Sequence, residues 1–187
     1  ETVNLNRKLG KIIIANKAHH DSFFMVYGTI DLLGCSEGKR IDNNLCSTCP
    51  QGTFTSSIGS NYCKLCNYGH STQSDESKEC FKCQKGMFAN LLGSSSCKNC
   101  VKGQYSENEG SKLCTNCSKG KYSNIIKSYT PSNCYDCENG KYSLFGFELC
   151  LRCKKGEYVF NKEKCIGCPK GKYSDIDNII SVNECKN

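Results

Sequence analysis

Long apolar runs are missing from this sequence. No stretch of about 18 consecutive apolar residues occurs, the least that a membrane-crossing helix needs, so no span is expected within it. Blocks of like charge are missing too. The net charge of +7 is carried mostly by lysines scattered singly, which reads as a solvated surface and not as a polyanion site. A nucleic-acid surface would cluster Lys and Arg among stacking aromatics, whereas the aromatics here recur in one fixed slot that suits packing. There is no G-x-S-x-G, H-E-x-x-H, P-loop or G-x-G-x-x-G. No catalytic residue, cofactor or metal is expected, and the chain does not read as an enzyme.

Tryptophan is absent, prolines number three, and Leu, Ile, Val and Phe become sparse after Cys35. An ordinary single core is thereby excluded. The few large apolar groups per repeat cannot offset an ordering entropy of roughly 1–2 kcal/mol per residue. The first residue is Glu1, with no initiator methionine, charged leader or cleavage site before it, and the expectation is a processed or partial chain.

Cysteine is what the chain has in abundance: 18 of 187 residues, beside 17 glycines and 10 tyrosines. Such density in a chain with a weak core points to an oxidising, extracellular setting, secreted or cell-surface. The cysteines form C-x2-C pairs. The second members Cys49, Cys66, Cys83, Cys100 and Cys117 recur every 17 residues, followed by Cys137, Cys153 and Cys168 at 20, 16 and 15. A fixed period with small insertions is the mark of a stacked array.

Three positions beyond that cysteine stands a glycine, as in Gly52, Gly69 and Gly120; five beyond stands an aromatic in all repeats but the second, which has Ser71. Another glycine recurs four positions before the next pair, as Gly59, Gly93, Gly110 and Gly146, with Asn161 as a substitute, and reads as a tight turn. Each unit is therefore expected to be a minimal β-hairpin, marginal by itself.

Cys35 and Cys185 have no partner two residues away, and Gly38 follows Cys35 as a glycine follows every second cysteine. The repeats thus start and stop in mid-pair. Joining each second cysteine to the first cysteine of the next pair uses all of them: Cys35 to Cys46, Cys49 to Cys63, Cys66 to Cys80, Cys83 to Cys97, Cys100 to Cys114, Cys117 to Cys134, Cys137 to Cys150, Cys153 to Cys165 and Cys168 to Cys185. Each such loop gains on the order of 3 kcal/mol from restriction of the unfolded chain. Two other arrangements stay open. An interlocked scheme, first to third and second to fourth, leaves Cys35 and Cys185 far apart in sequence. Zinc ribbons would use a spacing near C-x2-C, thirteen residues, C-x2-C, and would leave the same two over. A redox role for the pairs needs a helix N-terminus that the sequence does not offer.

Residues 1–34 are a different material, without cysteine. Two apolar stretches contain Ile12, Ile13 and Ile14, then Phe23, Phe24 and Val26, and read as strands. They are expected to complete an upstream β domain or to join a neighbouring subunit, so the expected partner is protein. His19, His20 and Asp21 read as an exposed loop. Asn116-Cys117-Ser118 is a formal glycosylation sequon, making Asn116 the candidate for a glycoprotein's sugar.

Cys46 to Phe54 (CSTCPQGTF) and Cys165 to Ser174 (CIGCPKGKYS) resemble the ephrin-receptor-like cysteine-rich repeats, related to tumour-necrosis-factor-receptor and growth-factor-receptor modules. The resemblance covers residues 35–187, although the proline survives only at Pro50 and Pro169. It implies pairing of each cysteine before P-x-G with the next along, and an elongated extracellular rod without chemistry of its own. Long arrays of this composition look like surface or secreted proteins of ciliates and similar protists. The expected fold is a small disulfide-rich, all-β rod of tandem hairpins at 35–187, preceded by the β-strand segment at 1–34. The expected function is a structural stalk, coat or filament subunit; a receptor-type ectodomain binding a protein ligand and an intracellular zinc-ribbon array are the alternatives.

Overall fold

The computed structural model of the chain describes residues 34–187. The strands expected around Ile12 to Ile14 and Phe23 to Val26, and the His19 and His20 loop, lie outside the described residues. What is described is nearly all β, with two 3-10 turns, Pro131–Asn133 and Val182–Glu184.

The strands pair within their own unit, in eight two-stranded antiparallel sheets, and isolated parallel bridges, Tyr105 with Ser128 and Tyr158 with Ile179, reach the following unit. Lys39–Asp42 pairs with Leu45–Thr48, and Glu157–Phe160 with Lys164–Gly167. The six hairpins between them have strands of just two residues, such as Lys121–Tyr122 against Tyr135–Asp136. A ninth unit closes through a bridge between Tyr173 and Lys186. Two residues per strand supply too few ladder bonds to hold a hairpin in water, so the order must come from more than strand pairing.

Part of it is covalent. The nine disulfides join each second cysteine to the first cysteine of the next pair, from Cys35–Cys46 through Cys168–Cys185. Sequence separations run from 11 to 17. Bridges of this span contribute about 3 kcal/mol each through the unfolded state.

The rest is backbone. Gly69 N–H donates to Ala89 O at 2.8 Å, Ala89 N–H to Ser111 O at 3.1 Å, and Gly93 N–H to Cys66 O at 2.8 Å. The same three bonds recur along most of the array, and each ties a hairpin to its immediate neighbour. Stability is then a sum of short-range terms along one dimension, as in other solenoids.

The core sits where these bonds converge and is built from sulfur and small side chains. Cys49, Cys66, Cys83, Cys100, Cys117, Cys137 and Cys153 are no more than 1% exposed. Six positions beyond each second cysteine, Thr55, Thr72, Ala89, Ser106, Ser123, Ser143, Val159 and Ser174 are all buried. The aromatic slot lies at the edge of this core. Tyr122 is half-buried and its ring centroid is 6.0 Å from that of Tyr135. In the second repeat the slot holds Ser71, buried, with its hydroxyl 3.2 Å from Cys97 Sγ.

Candidate functional site at the irregular hairpin

The phrase Cys114-Thr-Asn-Cys117 lies on the return strand of one hairpin. Thr115–Asn116 pairs with Gln104–Tyr105, while Cys114 bonds back to Cys100 and Cys117 forward to Cys134. The pair is a joint between successive links. Gly120 follows with φ +76°, and its N–H donates to Ser143 O in the next hairpin. The same joint repeats down the chain, so the candidate surface has to be sought where the repetition fails.

It fails between Gly120 and Cys137, the unit with the longest period. The extra residues are absorbed in a loop whose turn residue is Lys127, at φ +58°. Lys127 N–H nevertheless makes the standard bond to Cys100 O, 2.8 Å, and Ser128 fills a buried position. Thr130 then caps the short 3-10 turn, its hydroxyl oxygen accepting from Ser132 N–H. Pro131 suits this place because it has no N–H to satisfy there.

Two concavities flank the bulged unit. One, about 740 Å³, is lined by Val101, Ile126, Phe147, Leu149 and Leu151, with Lys102 and Glu148 paired at 3.4 Å across its rim. Val101, Ile126 and Leu149 are each about half exposed. The other, about 640 Å³, is polar: Tyr105, Tyr135, Asn116, Ser132 and Asp136 line it above the Cys117–Cys134 bridge. The Lys121 ammonium, donating to Asp136 at 2.9 Å, holds the Asp136 carboxyl below its usual range. Lys141 does the same to Glu138 at the hairpin's far end. Both pairs are solvent-exposed and set local geometry more than stability.

Asn116 stands on this surface, exposed. Its Oδ1 accepts from Gln104 Nε2 at 2.8 Å and lies against Gly146, in the hairpin after next. The eighteen cysteines are all bridged, which leaves no free thiol as a metal ligand or redox group in this structure. Ile12, Ile13, Ile14, Phe23, Phe24 and Val26 lie outside the described residues. Among those described, no cluster of three or more His, Cys, Asp or Glu is placed to hold a metal, and no helix is long and apolar enough to cross a membrane.

The family model described as tyrosine-protein kinase ephrin type A/B receptor-like matches residues 71–112 and, in a second overlapping placement, 86–134. Over these residues the chain is similar to ephrin-receptor-like cysteine-rich repeats. No curated protein matches the chain. The two placements of the ephrin-receptor-like match overlap, as expected of an array in which one profile fits at more than one position, and the second takes in the irregular loop. Outside the matched stretch the same joint geometry runs on in both directions, from the Cys35–Cys46 bridge to the Cys168–Cys185 bridge.

Three features of the site escape the sequence reading. The buried small slot is visible as T, T, A, S, S, S, V, S six positions beyond each second cysteine, but Ser and Thr there read as surface. The turns at Glu76, Lys127 and Asn178 have φ of 60°, 58° and 63° without the glycine that signals them elsewhere. The two concavities arise from side chains remote in sequence and leave no local signal.

Proposed function

We propose that the chain is an extracellular structural protein, a rod-like stalk, coat or filament subunit with no catalytic activity. One observation carries this reading: a backbone ladder repeats from hairpin to hairpin while every cysteine is consumed in a local bridge. Such a scaffold resists bending and proteolysis without a large core, and nine bridges call for an oxidising compartment. On this reading residues 35–187 are the rod, and residues 1–34 are a separate apolar segment that joins it to an upstream β domain or a neighbouring subunit. Asn116 is the position at which a glycan would report passage through a secretory route.

A receptor-type ectodomain is the second reading, favoured by the exposed Val101, Ile126 and Leu149 around the larger concavity. Its partner would be a protein with an apolar contact surface. Electron microscopy of native material separates the two. Stalks, coats or filaments of uniform width support the structural role; dispersed molecules that gain mass only with a separate protein, and lose that gain in Ile126→Asp, support the receptor role.

A further inference from the structure

Gly140 is the exception in the ladder. Gly38, Gly52, Gly69, Gly86, Gly103 and Gly120 each donate their N–H to a carbonyl of the following hairpin, and each carbonyl accepts the N–H of the cysteine that opens the following bridge. Gly140 makes neither bond among the described residues. It is still closely packed, since a Cβ at that position would run into the Asn178 backbone carbonyl. Beside it, Asn178 Oδ1 is buried without a partner. The amide nitrogens of Gly140 and Gly156 both lack the joint hydrogen bond, and Gly140 is the buried one of the two.

The residue before it is Asn139, exposed on a turn closed by Lys141 N–H donating to Glu138 O at 3.2 Å. Five other repeats place lysine at that position, and this one alone places asparagine. Asparagine before glycine is the pairing in which a backbone nitrogen most readily attacks the neighbouring side-chain amide, because glycine has no Cβ to obstruct the approach and its backbone turns freely.

We infer that Asn139 and Gly140 form a self-modifying site that deamidates in water. Gly140 N loses its proton to solvent base and bonds to Asn139 Cγ; the bond from Cγ to the side-chain nitrogen breaks, and ammonia leaves. A five-membered succinimide results. Water then opens either ring carbonyl, giving aspartate or a β-linked isoaspartate in which the backbone runs through the former side chain. The sum is one water consumed and one ammonia released, with no oxidant or reductant. The β-linked product lengthens the main chain between the Cys137–Cys150 bridge and the pairing of Lys141 with Arg152, and adds a negative charge beside Glu138. It displaces Gly140 from Asn178 and loosens one interior joint irreversibly, an age mark in a durable molecule. The chemistry does not depend on the structural role proposed above.

The test holds the full oxidised chain at mildly alkaline pH, beside its reduced and denatured form, and maps both by peptide mass spectrometry. In the native chain Asn139 is expected to lose its amide before any other asparagine and to give two separable products of equal mass, the β-linked one in excess. Asn139→Gln is expected to lose both products. The inference is overturned if native Asn139 keeps its amide while the denatured chain loses it, if another asparagine reacts first, or if aspartate is the sole product, as direct hydrolysis would give.

Discussion

Gly69 lies with its Cα against the backbone carbonyl of Gly110, two hairpins farther along, so closely that no Cβ fits between them. Its φ of +74° is also one that L side chains avoid. Gly156 has the same backbone conformation, φ +79°, but a Cβ there would meet nothing within 4 Å. The pair separates conformational cost from contact cost. Gly156→Ala is expected to lose about 1–2 kcal/mol, the cost of the left-handed region alone. Gly69→Ala should lose that and roughly 1–3 kcal/mol more from overpacking. Denaturant unfolding of the oxidised variants measures both, and equal losses would contradict the packing account.

Each bridge acts locally. In the double variant Cys117→Ser with Cys134→Ser the other eight bridges are expected to form with unchanged partners, because each neighbouring loop closes within its own unit. Stability should fall by about 3 kcal/mol, and limited proteolysis should cut first between 118 and 133. Scrambled partners in the disulfide map would show that the bridges are interdependent.

Ser123 is fully buried in the small slot. Ser123→Leu is expected to cost roughly 1–3 kcal/mol by forcing apart two stacked hairpins. At Leu113, an exposed position on the same rod, Leu113→Ser should be near neutral. Thermal unfolding midpoints of the two variants decide whether serine is a core residue here.

Acid should do little until it is strong. Asp136, Asp175 and Glu138 have carboxyls held below their ordinary values by hydrogen-bonded lysines, so their contributions are present above those values and lost only as pH falls through the lowered ones. Lys186 is shifted up by its hydrogen bond to Asp175, so its contribution is complete below the ordinary lysine value and is lost as pH rises past the raised one. The four groups are exposed, and their effects are small. The unfolding midpoint of the oxidised chain is therefore expected to be flat between about pH 5 and pH 9. A steep change inside that window would reveal a buried titrating group that the described residues do not contain.

The repeat, the hairpins and the serial bridges were legible because they depend on residues spaced at a fixed period. Cys35 and Cys185, each without a near partner, carried the phase of the ladder. The buried hydroxyl slot was not legible, since Ser106 and Ser143 have the composition of a loop and are buried only because the next hairpin stacks on them. The turn at Lys127 was hidden for a similar reason. Its left-handed φ costs about 1 kcal/mol in isolation and is held by the bond to Cys100 O, a contact far away in sequence.

Cys114 and Cys117, with two residues between them, belong to different bridges. The direct measurement alkylates the unreduced chain under denaturing conditions, weighs it, and maps the disulfide-linked peptides. No alkylated thiol is expected, with Cys114 linked to Cys100 and Cys117 linked to Cys134. Eighteen alkylated thiols, or a map joining Cys114 to any cysteine but Cys100, would contradict it.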